Sequence, residues 1–109
     1  MMLKSIDIHG ILSITEEQIE IFCQTWKIKE FYLFGSILRA DFNSDSDVDV
    51  MVVFCEDVQW GLWEFIEMKW ELERIFNRSV DLMTKQSILD SRNWLRREEI
   101  LKTAELVYG

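Results

Sequence analysis

Proline is absent from the 109 residues, and glycine occurs only four times. With no proline and no Gly/Ser tract, no linker separates folding units, and one domain spanning residues 1–109 is expected. Histidine occurs once, as His9, with no cysteine or second histidine at ligand spacing, which argues against a zinc site. The two cysteines, Cys23 and Cys55, form no CxxC pair. Each sits among apolar residues, so two buried thiols are expected rather than a disulfide. Long apolar runs are missing too. The opening "MMLKSIDIHG" lacks the hydrophobic stretch of a signal peptide, and nothing approaches the ~20 residues of a membrane span. A cytoplasmic location without membrane attachment is the expectation. Positive charge is scarce: 12 Lys and Arg stand against 20 Asp and Glu, for a net charge of −8. Residues 1–58 carry most of the imbalance, with four basic and eleven acidic side chains. Such a surface does not track phosphates, so direct nucleic-acid binding is not expected. It suits metal cations or a basic partner.

Apolar residues are plentiful, at 49% with five Trp, enough for a real core. Ser13 and Thr15, each followed three residues on by Glu16 or Gln18, mark the start of a first helix. Ile19, Phe22, Cys23 and Trp26 then form one apolar stripe at helical spacing. "FYLF", residues 31–34, reads as a buried strand stopped by Gly35. "SILRADF" suits a brief helix and "NSDS" a turn. "VDVMVVF", residues 48–54, is the clearest strand. Residues 60–76 read as a long helix and "SVDLMT", 79–84, as a short strand. Residues 92–108 read as a last amphipathic helix with Ile100, Leu101, Ala104, Val107 and Tyr108 on one side. Alternating helices and strands predict one sheet covered by helices, with strand order and direction left open. In the 60–76 helix, Leu62, Phe65, Met68, Leu72, Ile75 and Phe76 fill a broad arc that Trp63, Ile66 and Trp70 widen. Ordinary core packing is the expectation for this arc, ahead of a partner-binding surface.

The stretch "DFNSDSDVDVMVVF", residues 41–54, sets Asp41, Asp45, Asp47 and Asp49 at the mouth of a strand. Turn chemistry accounts for Asp41 and Asp45. It does not account for Asp47 and Asp49, which alternate with Val48 and Val50 and share one strand face about 7 Å apart. Two like charges there call for a cation. A calcium loop fails, because Ser46 stands at its glycine position and Val52 at its bidentate glutamate position. A different partner lies just upstream. In "FGS", residues 34–36, Gly35 allows close backbone approach, the helix start favours an anion, and Ser36 adds a hydroxyl. Asp81, between Val80 and Leu82, is a third carboxylate on a strand. If that strand neighbours the first, the acids hold one or two Mg²⁺ ions beside the phosphates of a nucleotide.

Gly35-Ser36, ten residues, Asp47-Val48-Asp49 and a later Asp81 together resemble the nucleotidyltransferase superfamily of the DNA polymerase β type. More narrowly, the chain is similar to the minimal nucleotidyltransferase (MNT) antitoxins paired with HEPN toxins. The resemblance spans about residues 28–84. It implies an α+β, polymerase β-like fold with a small mixed sheet covered by helices, and transfer of AMP from ATP to a tyrosine hydroxyl of a HEPN-type RNase toxin. Asp47, Asp49 and Asp81 would be the catalytic and Mg²⁺-holding acids; Gly35, Ser36 and Arg39 would hold the nucleotide, in a hetero-oligomer with the toxin. The family often reads GSRARG where this chain has "GSILRA": Arg39 keeps one arginine, while Ile37 and Ala40 depart. An inactive antitoxin that acts by contact alone is the main alternative. An aminoglycoside-type nucleotidyltransferase is a further one, although such enzymes usually carry an additional helical domain.

Overall fold

The computed structural model describes residues 16–35 and 47–109. Helix α1 (Glu16–Thr25) leads into β1 (Ile28–Phe34), and β2 (Val48–Phe54) follows after the intervening segment. Then come α2 (Leu62–Phe76), β3 (Val80–Thr84), α3 (Lys85–Leu89), α4 (Trp94–Thr103) and β4 (Glu105–Tyr108). The strands form one mixed sheet in the order β3-β2-β1-β4. β2 runs antiparallel to β1 and parallel to β3, and β4 is antiparallel to β1. The parallel pair requires a long crossover, which α2 supplies. No helix among the described residues is long and apolar enough to cross a membrane.

Alternation along the strands sorts side chains to two faces. Phe31, Leu33, Val48, Val50, Val52, Val80 and Leu82 form the main core with Ile19, Phe22 and Cys23 of α1 and Met68, Leu72 and Phe76 of α2. Phe22 meets Phe31 edge-on, with ring centroids 6.2 Å apart. The opposite face carries a smaller cluster: Phe34 and Met51 pack with Ile88 of α3 and Ile100 of α4, flanked by Tyr32, Met83 and Ala104. This second layer is thin, and so leaves room at its margin for polar side chains.

Local chemistry sets the ends of α2. The Gly61 N–H donates to Glu64 Oε1 at 2.7 Å, and Asn77 closes the helix in the left-handed region at φ 56°. Glu73 then accepts from the Val80 N–H at 3.1 Å, tying the helix end to the start of β3. Trp26 Nε1 donates to Glu71 Oε2 at 2.7 Å, pinning α2 to the end of α1.

Two expectations need correction. The helix expected over residues 92–108 ends at Thr103, and Glu105–Tyr108 is β4. Its pairs Phe31↔Tyr108, Tyr32↔Leu106 and Leu33↔Glu105 cover the second edge of β1. Val107 and Tyr108 are buried by the sheet; hydrogen-bonding to an open edge outweighs the helical spacing of the last four residues. Residues 85–89 form a further short helix, whose Thr84 cap accepts from the Ser87 N–H at 3.1 Å. The breadth of the α2 arc also exceeds what the core takes in. Leu62, Trp63 and Trp70 are 78%, 70% and 54% exposed, so ordinary core packing does not hold for them. Ser13 and Thr15 lie outside the described residues, as does the brief helix expected in "SILRADF".

Cys23 is buried, Cys55 is half-buried, and both are free thiols. Burial pushes the Cys23 thiol up to about 12 from its ordinary 9.0. Tyr32 is pushed to about 12 from 10.0, first by desolvation and then by its 2.7 Å hydrogen bond to Glu30 and that carboxylate's charge. The unfolded chain sheds these protons before the folded one does. Stability contributed by the two groups is therefore full below pH 9.0 and declines as pH rises from there towards 12. Thermal melts at about pH 8 and about pH 11 are expected to show this loss, and a Tyr32→Phe variant is expected to show a smaller loss relative to its own value at the lower pH.

Candidate active site

The end of β1 and the start of β2 are opposite each other, with Phe34 in register with Asp49. One residue on, Gly35 takes a positive φ of 76°. That conformation brings its α-carbon against the Asp49 side chain: a Cβ built there would overlap Asp49 Oδ2 and stand 3.1 Å from its Cγ. Only glycine combines this backbone with this approach. On the other side of β2, Asp49 is in register with Asp81 of the parallel strand β3. Adjacent strands lie about 4.8 Å apart, so the two acids are neighbours on the same face of the sheet. This is also the face of Met51 and Met83, at the margin of the thin second cluster.

Asp47 precedes β2 by one residue, where the Val48 N–H bonds to the Ser79 carbonyl at 3.0 Å and extends the pairing with the β3 end. Asp47 and Asp81 are exposed, and Asp49 is half-buried. Ser36 and Arg39 lie outside the described residues, together with Asp41 and Asp45. Among the described residues no three acidic, cysteine or histidine side chains are gathered closely enough to hold a metal ion. The fold brings together a narrower group: Asp49 and Asp81 side by side, Gly35 against Asp49, and Asp47 two residues up the chain. Directly opposed like charges weaken a sheet, and neither acid is needed to fill the core. Carboxylate oxygens without thiolate or imidazole form a donor set suited to a hard cation such as Mg²⁺.

Two cavities open on these acids. One, of about 180 Å³, is lined by Phe34, Gly35 and Asp49 from the sheet and by Arg96, Glu99 and Thr103 among the residues of α4. The other, of about 300 Å³, holds Asp81 and Met83 opposite Ser87, Ser91, Arg96 and Arg97. Ile100 lines both and is buried in the second cluster, which anchors α4 over the site. Arg97 is already engaged, donating from Nη1 to the carbonyls of Ser91 at 3.0 Å and Leu89 at 3.4 Å. A roomier hollow of about 310 Å³ lies at the other end of β2, between Val52–Phe54 and α3, and has no carboxylate in its lining. The α4 contribution was not visible in the sequence. Arg96, Glu99 and Thr103 belong to no motif, and only their position over the strand ends marks them.

Comparison with known proteins places the chain in a family. Residues 15–107 match the family model described as "Nucleotidyltransferase domain". A Methanocaldococcus jannaschii protein provisionally named protein adenylyltransferase MJ1379 is 37% identical over 78 residues, covering 72% of this chain and 78% of its own. Protein adenylyltransferase MntA of Thermococcus cleftensis is 33% identical over 87 residues, with 80% and 83% covered. In structure, the chain superposes with a TM-score of 0.66 on a protein solved as a toxin-antitoxin with AMP-PNP. That match covers 88% of this chain and 74% of the other at 19% identity, a likeness of fold.

Proposed function

The chain belongs to the nucleotidyltransferase domain family and is an enzyme of the protein adenylyltransferase type, and we propose that it serves as an antitoxin, moving AMP from ATP onto a tyrosine hydroxyl of a HEPN-type RNase toxin and so silencing it. The observation that carries this reading is the register pair Asp49–Asp81 with the Gly35 backbone held against Asp49. The toxin-antitoxin fold neighbour with its ATP analogue supports the nucleotide and the kind of partner.

Asp47 and Asp49 would hold Mg²⁺ against the triphosphate, with Asp81 completing the set. The bound metal supplies charge neutralisation and a lowered pKa for the acceptor hydroxyl. The chain's own groups do the rest. The Gly35 turn lets the phosphates approach the backbone without a side chain between them. Asp81 would accept the proton of the incoming hydroxyl. The acceptor oxygen then bonds to the α-phosphorus, the bond from that phosphorus to the bridging oxygen breaks, and pyrophosphate leaves. Adenylylation places a bulky anion on the toxin, which is how modification would block an RNA-binding surface.

Contact without catalysis is the competing reading, motivated by Ile37 and Ala40 in the Gly-Ser segment. Co-expression of the toxin with an Asp47→Asn/Asp49→Asn antitoxin separates the two. We expect growth rescue to disappear while the variant still co-purifies with the toxin. Full rescue by the double variant would favour contact alone.

A further inference from the structure

ATP brings roughly four negative charges to a site that already holds Asp47, Asp49 and Asp81, so stable binding calls for several cations close to the phosphates. Two metal ions at most come with the nucleotide. Glu99 also lines the cavity beside Gly35 and Asp49, which deepens the deficit. Among the described residues, Arg96 is the one basic side chain that lines that cavity. It also lines the adjoining cavity that contains Asp81. No other basic residue among the described ones borders both. Arg97 borders only the second, and its guanidinium is tied to the carbonyls of Leu89 and Ser91.

Arg96 is also well placed mechanically. Asn93 caps α4 by accepting from the Arg96 N–H at 3.2 Å, which fixes the backbone at the point where the side chain departs. One turn later Ile100 is buried with Phe34, Met51 and Ile88, so this side of α4 is held down on the sheet. The spacing 96, 99, 100, 103 keeps Arg96, Glu99, Ile100 and Thr103 along one flank of the helix. Arg96 is exposed, and so is open to a ligand in either cavity.

Building on the adenylyl-transfer reading above, we infer that Arg96 contacts the polyphosphate of the bound nucleotide and the pyrophosphate it releases. A guanidinium offers paired N–H donors that match phosphate oxygens. From a position shared by both cavities it stays in touch with the β- and γ-phosphates as they part from the α-phosphorus. Charge stabilisation there favours the leaving group, so Arg96 acts both in binding and in the transfer itself.

The test is calorimetric titration of the full chain with Mg²⁺ and three probes in turn: ATP, inorganic pyrophosphate and AMP. Arg96→Ala is expected to weaken ATP and pyrophosphate binding by about tenfold or more and to leave AMP within about twofold. Arg96→Lys is expected to recover part of the loss. Lys102→Ala, which removes the same charge from α4 away from both cavities, is expected to match the parent. A uniform loss for all three probes would make Arg96 a structural residue and overturn the inference, as would ATP and pyrophosphate affinities unchanged in Arg96→Ala. The underlying reading is judged separately, by whether the parent chain binds ATP with Mg²⁺ and loses it in Asp49→Asn.

Discussion

Asp49→Asn is expected to lower AMP transfer by about 10³-fold, or some 4 kcal/mol of transition-state stabilisation, while leaving the protein as stable as before or slightly more so. The two halves of this result have one cause. Asp49 and Asp81 oppose each other across parallel strands, and directly opposed like charges weaken a sheet. Asparagine keeps the shape and the strand pairing but removes one of the charges. It relieves the sheet and empties the site of its central anion. A stabilised but inactive variant is the signature of residues retained for chemistry at some cost in stability. Thermal melting beside a transfer assay reads both effects. A stability loss that tracks the activity loss would mean that Asp49 is structural.

Gly35→Ala should be nearly as damaging by a different route. A non-glycine residue at φ 76° carries strain of about 1–3 kcal/mol. Its methyl group would also overlap Asp49 Oδ2, forcing the carboxylate to turn away from its present position. We expect a stability loss of about 2 kcal/mol and at least a 10²-fold loss of transfer in the fraction that remains folded. Nucleotide titration on folded protein separates the two effects. Near-parent transfer per folded molecule would show that the close approach of backbone and carboxylate is dispensable.

Much of this site could be read from the chain before its structure. Asp47 and Asp49 stood out because alternation in a strand puts both on one face, and Gly35 because it ends an apolar strand. Asp81 was recognisable as a charge between two core residues. The strand over 48–54 appears at the bounds its composition implied. What alternation could not supply was register. Nothing local says that β3 lies parallel beside β2 with Asp81 level with Asp49; that follows from where the α2 crossover sets the chain down. The C-terminal segment misled for a related reason. Val107 and Tyr108 satisfy helical spacing, but the open edge of β1 offers backbone partners that a helix there would leave unmet. Trp63 and Trp70 show a third limit: an apolar arc records what a helix could bury, while the thickness of the domain sets what it does bury. Arg96 was unreadable because its relevance lies in which strand ends α4 happens to cover.

The most direct test of the account is label transfer to the partner toxin, using ATP labelled at the α-phosphate in one reaction and at the γ-phosphate in another, each with Mg²⁺. The toxin is predicted to acquire the α-label and never the γ-label, and to acquire neither from Asp49→Asn or Asp81→Asn protein. Transfer of the γ-label, or undiminished α-labelling by those two variants, would contradict it.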